Sequence, residues 1–357
     1  MRRGIANLPL HNGYAPRWLF DRMVRLAKEI VKVIVTDFSP EELLRRLSDP
    51  FWFQAFGCVL GFDWHSSGIT TTVCGAVKQG LKDINKELGI YVAGGKGKTS
   101  RKTPQEIENY CSILGIDSRP LVYASKLSAK VDNSAVQDGY QLYHHCFIFT
   151  TQGRWCVVQQ GMNENNCYAR RYHWFSDTLY SFVNEPHNAV CCDLRKPSLN
   201  MVAAESIGSR DKSVEIANIH PEKLTKEVSK VLSLTLPQRH EITIDDINSK
   251  RLQKILVSTY EQKPENYESL LGLQGVGPKT VRALALIAEL IYGTKASYKD
   301  PARYSFAHGG KDGYPYPVNR EVYDNSIHYL KECINSAKIE YTEKKKAFQR
   351  LKLFVNL

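Results

Sequence analysis

The segment Ser269–Gly293, SLLGLQGVGPKTVRALALIAELIYG, sets Gly275 and Gly277 in a tight turn between two apolar helical stretches, the second beginning at Pro278. Glycines admit backbone geometries closed to other residues and leave amides uncovered, so a phosphate can sit at the positive end of the second helix. Lys279 adds a point charge there, next to Thr280. Gly275, Gly277, Lys279 and Thr280 are therefore the expected contacts to a DNA backbone, although the same pattern also suits a plain helix-packing unit.

A second set of reactive groups lies around residues 138–163. Taking Gln152–Gly153 as a two-residue turn, facing residues sum to 305, which sets His145 opposite Gln160 and His144 opposite Gly161. Asp138, His144, His145, Gln159, Gln160 and Asn163 then converge at one end of a hairpin whose middle, CFIF against WCVV, is apolar. A carboxylate and imidazoles at the rim of a buried sheet could hold a divalent metal ion, Mg, Mn or Zn, that activates water and neutralises a phosphodiester. Asp138, His144 and His145 are the expected ligands and catalytic groups. The restriction-endonuclease pattern puts a lysine on the second strand, which Gln159-Gln160-Gly161-Met162 lacks, so Lys130 or Lys126 would stabilise charge instead. A hydrogen-bonded polar network closing the sheet end is the competing reading.

Two loops suit anions. Gly61–Thr72, with Asp63 and His65, runs into a helix through small hydroxyl residues that could cap the helix or a phosphate. Ala93–Pro104, AGGKGKTSRKTP, carries Lys96, Lys98, Arg101 and Lys102 and reads as a mobile clamp on a nucleic-acid backbone or as a solvated basic loop. A Walker A loop requires a glycine where Val92 stands, so no nucleotide cofactor is expected.

The glycine turn resembles the helix-hairpin-helix motif, which grips one DNA strand without reading bases. Leu273–Val281 is similar to the corresponding stretch of endonuclease III type base-excision glycosylases, with Lys279 at the position of their Schiff-base lysine. The resemblance implies an aspartate farther on, but Pro317–Ile327 has Asn319 there, so Asp300 or Asp324 would have to substitute. Over nearly the whole chain, HNGYAPRWLFDRM, SDPFWFQAFGCVLGFDWHSSG, AGGKGKTSRKTP, YQLYHHCFIFTTQGRWCVVQQGMN, ARRYHW and ARYSFAHGGKDGYPYPV resemble the archaeal and bacterial family catalogued as domain of unknown function 763. That resemblance implies a prokaryotic protein with a helix-hairpin-helix segment and supplies no catalytic residues.

The elements that must position these groups are readable from periodicity. Leu19, Met23, Leu26, Ala27, Ile30 and Ile34 recur at helical spacing, Ser39-Pro40 and Asp49-Pro50 each signal a capped helix start, and Thr70–Leu88 continues helical. Leu121–Gln160 switches to strand character. SIGSRDKS, Ser206–Ser213, reads as a linker or basic loop, and from His220 the pattern is almost wholly helical, with Lys344, Lys345, Lys346, Arg350 and Lys352 on the exposed face of a final helix. The expected fold is α+β: a mixed domain over 1–215 with a central antiparallel hairpin, and a helical DNA-binding domain over 216–357.

Composition bounds the function. Of 357 residues, 43% are hydrophobic and 24% charged, and the net charge is +11, which favours polyanionic partners. No apolar run reaches the roughly 20 residues of a membrane span, and no apolar segment follows Arg2-Arg3, so a cytoplasmic protein is expected. Nine scattered cysteines, including the vicinal Cys191-Cys192, read as reduced buried thiols. The expectation is a DNA-processing or repair protein, foremost a metal-dependent nuclease. A lyase or glycosylase using Lys279 and a non-enzymatic DNA-binding adaptor are the alternatives, and RNA remains open as a partner because phosphate gripping ignores the 2′-hydroxyl.

Overall fold

The computed structural model describes residues 15–62, 68–163, 168–192, 195–223, 250–302 and 320–355. Arg17–Asp37 form α1, which buries Met23, Leu26, Ala27, Ile30, Val31 and Ile34 along one stripe. Two capped helices follow where the sequence signals them. Ser39 Oγ accepts from the Glu42 amide at 3.1 Å and opens α2 (Pro40–Ser48); Asp49 Oδ1 accepts from the Phe51 and Trp52 amides at 2.8 and 3.0 Å and opens α3 (Pro50–Leu60). The helix expected to run to Leu88 breaks into α4 (Gly68–Leu81) and the single turn α5 (Asn85–Leu88).

Strand β1 (Ile90–Lys96) leads through a short 3₁₀ turn, Gly97–Lys102, into α6 (Thr103–Leu114) and α7 (Arg119–Lys130). Then come β2 (Val136–Gln137), β3 (Gln141–Thr150), β4 (Trp155–Asn163), β5 (Tyr168–Phe175), β6 (Ala189–Cys191) and β7 (Leu199–Asn200). Five of these form one antiparallel sheet in the order β1-β3-β4-β5-β6, and β2 pairs separately with β7.

The register corrects the sequence reading by one residue. Thr150 N donates to Arg154 O at 2.9 Å and Gly153 has φ +79°, so the β3–β4 connection is a three-residue loop with glycine in the left-handed position. His145 therefore faces Gln159, and His144 faces Gln160. Because side chains alternate across a strand, this decides which groups share a face.

The hairpin middle is buried on both sides, as its sequence suggests. Phe147, Phe149, Trp155, Val157, Tyr172 and Trp174 pack with α6, α7 and α8 (Ile207–Ala217). Cys146, Ile148, Cys156, Val158 and Phe175 pack with α1–α4. After α8 come α9 (Lys250–Gln262), α10 (Tyr267–Gly272), α11 (Pro278–Tyr292), α12 (Arg320–Ser336) and α13 (Tyr341–Val355).

Apolar packing runs across the expected boundary near residue 215: Leu270, Val281 and Leu284–Ala288 join the first apolar cluster, and Leu330, Ile334 and Leu351 join the second. SIGSRDKS is not a linker but the start of α8. Arg210 is buried there because its guanidinium donates to the carbonyls of Met201 and Ala203 at 2.8 and 2.7 Å and to Asn184 Oδ1 at 2.9 Å. The eight described cysteines are buried and form no disulfide with one another, and among the described residues no helix is long and apolar enough to cross a membrane.

Candidate functional site

The glycine turn is built as two helices joined at Leu273–Gly277. Asn266 and Ser269 form a reciprocal capping box at the start of α10. Gly275 takes φ +88°, and Gly277 caps α11 without a side-chain bond of its own. Val276 is buried between them and anchors the corner, while Gly275 and Lys279 are exposed and Thr280 is buried. The turn is docked on α7 and β2: Tyr123 OH donates to Glu268 Oε1 at 2.6 Å, and Lys130 Nζ reaches Leu273 O at 3.5 Å. Gln137 Nε2 donates to Pro278 O at 2.8 Å and accepts at Oε1 from Arg282 Nε at 2.7 Å.

A groove of about 650 Å³ opens beside this corner. Its lining brings Arg101 together with Lys126, Lys130 and Ser125 of α7, His144 and His145 of β3, and Gly272 at the foot of the turn; no aspartate or glutamate is among the described lining residues. Burial pushes the Lys130 ammonium below its ordinary pKa. Lys96, Lys98, Arg101 and Lys102 are all exposed, and Lys96 Nζ lies 6.0 Å above the Tyr143 ring.

The basic loop is anchored rather than free at its base. Glu106 Oε2 accepts from Gly94 N at 2.8 Å and pairs with Lys78 at 2.6 Å. Gly94 has φ +91°, and a Cβ there would lie 2.2 Å from His145 O, so only glycine lets β1 approach β3 this closely.

The expected metal ligands are not brought together. His144 and His145 project from opposite faces of β3. His144 is buried with neither ring nitrogen hydrogen-bonded among the described residues, and burial, then the neighbouring His145 and Lys96, lower its pKa to about 3. His145 has both nitrogens engaged, 2.9 Å from Ser125 Oγ and 2.7 Å from Gln159 Oε1, and burial lowers its pKa to about 4.

Asp138 is committed elsewhere. Its Oδ2 pairs with Arg170 at 2.9 Å and accepts from Tyr172 OH at 2.7 Å, while Oδ1 accepts from Tyr140 N. Burial raises its carboxyl pKa, and Arg170's charge opposes that shift. A divalent ion does not fit this donor set, and among the described residues no group of three His, Cys, Asp or Glu side chains is placed to hold one. Nor does sequence spacing disclose the partners that the structure supplies, Ser125, Asp132, Arg170 and His187. A one-residue change of register, placing Gln159 beside His145, is the signal that leads to Asp132; it does not reach Arg170, the partner of Asp138.

A second cavity of about 1330 Å³ is lined by Asp138, Lys196, Glu205, Pro278, Arg282 and Lys299 among others, and it shares Asn133 and Gln141 with the first. Asp300, one substitute for the glycosylase aspartate, is held by Arg170 Nη2 and the Lys196 amide, both at 2.9 Å. Asp63, His65, Asn319 and the side chain of Asp324 lie outside the described residues.

Fold and site together define a mixed α+β protein with a helix-covered antiparallel sheet and a cation-lined groove running to a glycine corner. The chain belongs to the family described as Protein of unknown function (DUF763), whose model matches residues 4–318. Neither a curated protein nor a solved structure matches it.

Proposed function

We propose that this chain is a DNA-binding, DNA-processing protein that holds the nucleic-acid backbone along the groove between the Gly97–Lys102 turn, α7 and the Gly275–Gly277 corner. The observation that carries this reading is the convergence of Arg101, Lys126 and Lys130 on one cavity that ends at Gly272, without a carboxylate in its described lining. Such a field attracts a polyanion, and the net charge of +11 supports it. The corner, where Gly275 and Lys279 are exposed, would add backbone amides and the lysine charge as a sequence-independent phosphate grip. Metal-dependent cleavage through Asp138, His144 and His145 is not part of this function, because Asp138 and His145 are engaged by other groups and His144 projects from the opposite face of β3 to His145.

The test is fluorescence anisotropy of labelled duplex and single-stranded DNA, with RNA of the same sequence beside them, across a salt series. Affinity should fall steeply with salt. Arg101→Ala, Lys126→Ala and Lys279→Ala should each flatten the slope of log K against log salt by about 0.9 for every duplex phosphate that the variant no longer neutralises. Salt-insensitive binding, or a triple variant that binds like the parent, removes the proposal. Binding without turnover on every DNA structure tried would leave the non-enzymatic adaptor.

A further inference from the structure

We propose that Ser125 is a nucleophile for phosphodiester cleavage without metal, activated by His145, which Gln159 and Asp132 hold in position. This rests on the nucleic-acid reading above and adds the chemistry that reading lacks.

Hydrogen-bond logic fixes the proton. Asp132 Oδ2 accepts from Gln159 Nε2 at 2.6 Å and from Trp174 Nε1 at 2.9 Å, while Asp132 Oδ1 lies 2.5 Å from His187 Nε2. A carboxylate only accepts, so Gln159 must turn its amide nitrogen to Asp132 and its carbonyl oxygen to His145. That oxygen is also only an acceptor. His145 Nδ1 therefore carries the ring hydrogen, Nε2 is bare, and the Ser125 hydroxyl donates to it. This is the arrangement of an activated hydroxyl: nucleophile on base, base on an orienting group.

Ordinary helix packing does not require the contact. Ser128, one turn further along α7, satisfies its hydroxyl on its own helix at Ser125 O, whereas Ser125 reaches across to a strand imidazole. Ser125 and His145 both line the 650 Å³ groove with Arg101, Lys126 and Lys130, so the reacting group expected there is anionic phosphate rather than a neutral acyl group.

In the first step Ser125 Oγ bonds to phosphorus, its proton passes to His145 Nε2, and one ester P–O bond breaks. The departing oxygen takes that proton and leaves as an alcohol. Water then gives a proton to His145 and bonds to phosphorus, the Oγ–P bond breaks, and Ser125 regains the proton. The net change is hydrolysis of one ester bond.

The full-length protein is treated with a reporter-tagged fluorophosphonate, which transfers its phosphonyl group to an activated serine with loss of fluoride, and in parallel with 5′-labelled single-stranded and duplex DNA in EDTA. The expected results are an adduct mapped to Ser125 by mass spectrometry, DNA cutting that persists in EDTA, and loss of both in Ser125→Ala. His145→Gln should slow labelling by about 10²–10⁴-fold, and Gln159→Leu should slow labelling while leaving the adduct on Ser125. Mapping in the unaltered protein needs no variant, so a misfolded substitution cannot mask the answer. A parent protein that binds DNA but carries no adduct on Ser125, or His145→Gln labelling at the parental rate, overturns the proposal; so does DNA binding with no cutting in EDTA. An adduct on Ser125 without DNA binding removes the function proposed above and keeps the nucleophile.

Discussion

His145 and Gln159 stand directly opposite each other in β3 and β4, with Nδ1 of the imidazole 2.7 Å from the amide oxygen. The amide satisfies one buried acceptor and one buried donor, since its nitrogen donates to Asp132 while its oxygen accepts from His145. Replacing it with leucine keeps the volume and removes both bonds. Gln159→Leu should lower stability by about 2–5 kcal/mol, the cost of leaving a buried donor and a buried carboxylate oxygen short of partners. Urea unfolding measures this, and imidazole ¹⁵N spectra should show hydrogen on Nδ1 of His145 in the parent and a mixture of tautomers in the variant. An unchanged ring spectrum would mean that Gln159 does not set the tautomer.

That relationship also marks where sequence reasoning stops. Strand alternation is enough to recognise the hairpin and its two-sided burial, and spacing alone identifies the buried stripe of α1 and both proline-led caps. The turn is another matter: two- and three-residue loops share the same glycine, and the difference of one residue moves Gln160 to the opposite face and puts Gln159 beside His145. Asp138 reads as a ligand because its partner Arg170 lies 32 residues away. Arg210 sits in a stretch polar enough to pass for a linker because its charge is satisfied by carbonyls that local composition does not encode. The Gly275 corner is legible because its geometry is local.

The close approach of β1 to β3 makes a sharp stability prediction. A Cβ at residue 94 would meet His145 O at 2.2 Å and Thr103 Oγ1 at 2.5 Å, at φ +91°. Gly94→Ala should therefore cost about 3 kcal/mol or more, because backbone must move as well as strain be accepted. Gly115→Ala is the control: its φ is +69° but nothing lies within 4 Å, so only the conformational cost of about 1 kcal/mol remains. Equal destabilisation of the two variants in chemical denaturation would contradict the close approach.

Asp138 should act on stability through an ion pair. Arg170 is 1% exposed and bridges Asp138 and Asp300, each at 2.9 Å, with its guanidinium 4.6 Å from the Tyr140 ring centroid. Removing the fully buried carboxylate leaves the guanidinium half-compensated. Asp138→Asn should lose about 3–5 kcal/mol, and Asp300→Asn less, because Asp300 is nearer solvent. The loss should be the same with and without chelator, and a loss seen only in the absence of chelator would assign Asp138 to a metal after all.

The buried imidazoles give the fold an acid limit. Burial holds His144 to about 3 and His145 to about 4, and burial followed by the charge of Arg171 holds His173 well below the ordinary histidine value. A folded pKa below that of the unfolded chain means that the unfolded state binds more protons as pH falls from about 6.5 toward those values. Stability should therefore be whole above about pH 6.5 and decline through that window. The decline levels off for each histidine only once its folded form protonates. For His144 the contribution lost between about pH 7.5 and about pH 5 is about 2 kcal/mol. His144→Phe removes the titrating group and its two unbonded nitrogens, so the variant should lose about 2 kcal/mol less than the parent over that interval in paired urea titrations. Parallel losses in the two proteins would show that the ring at position 144 does not enter the fold as a neutral, desolvated base.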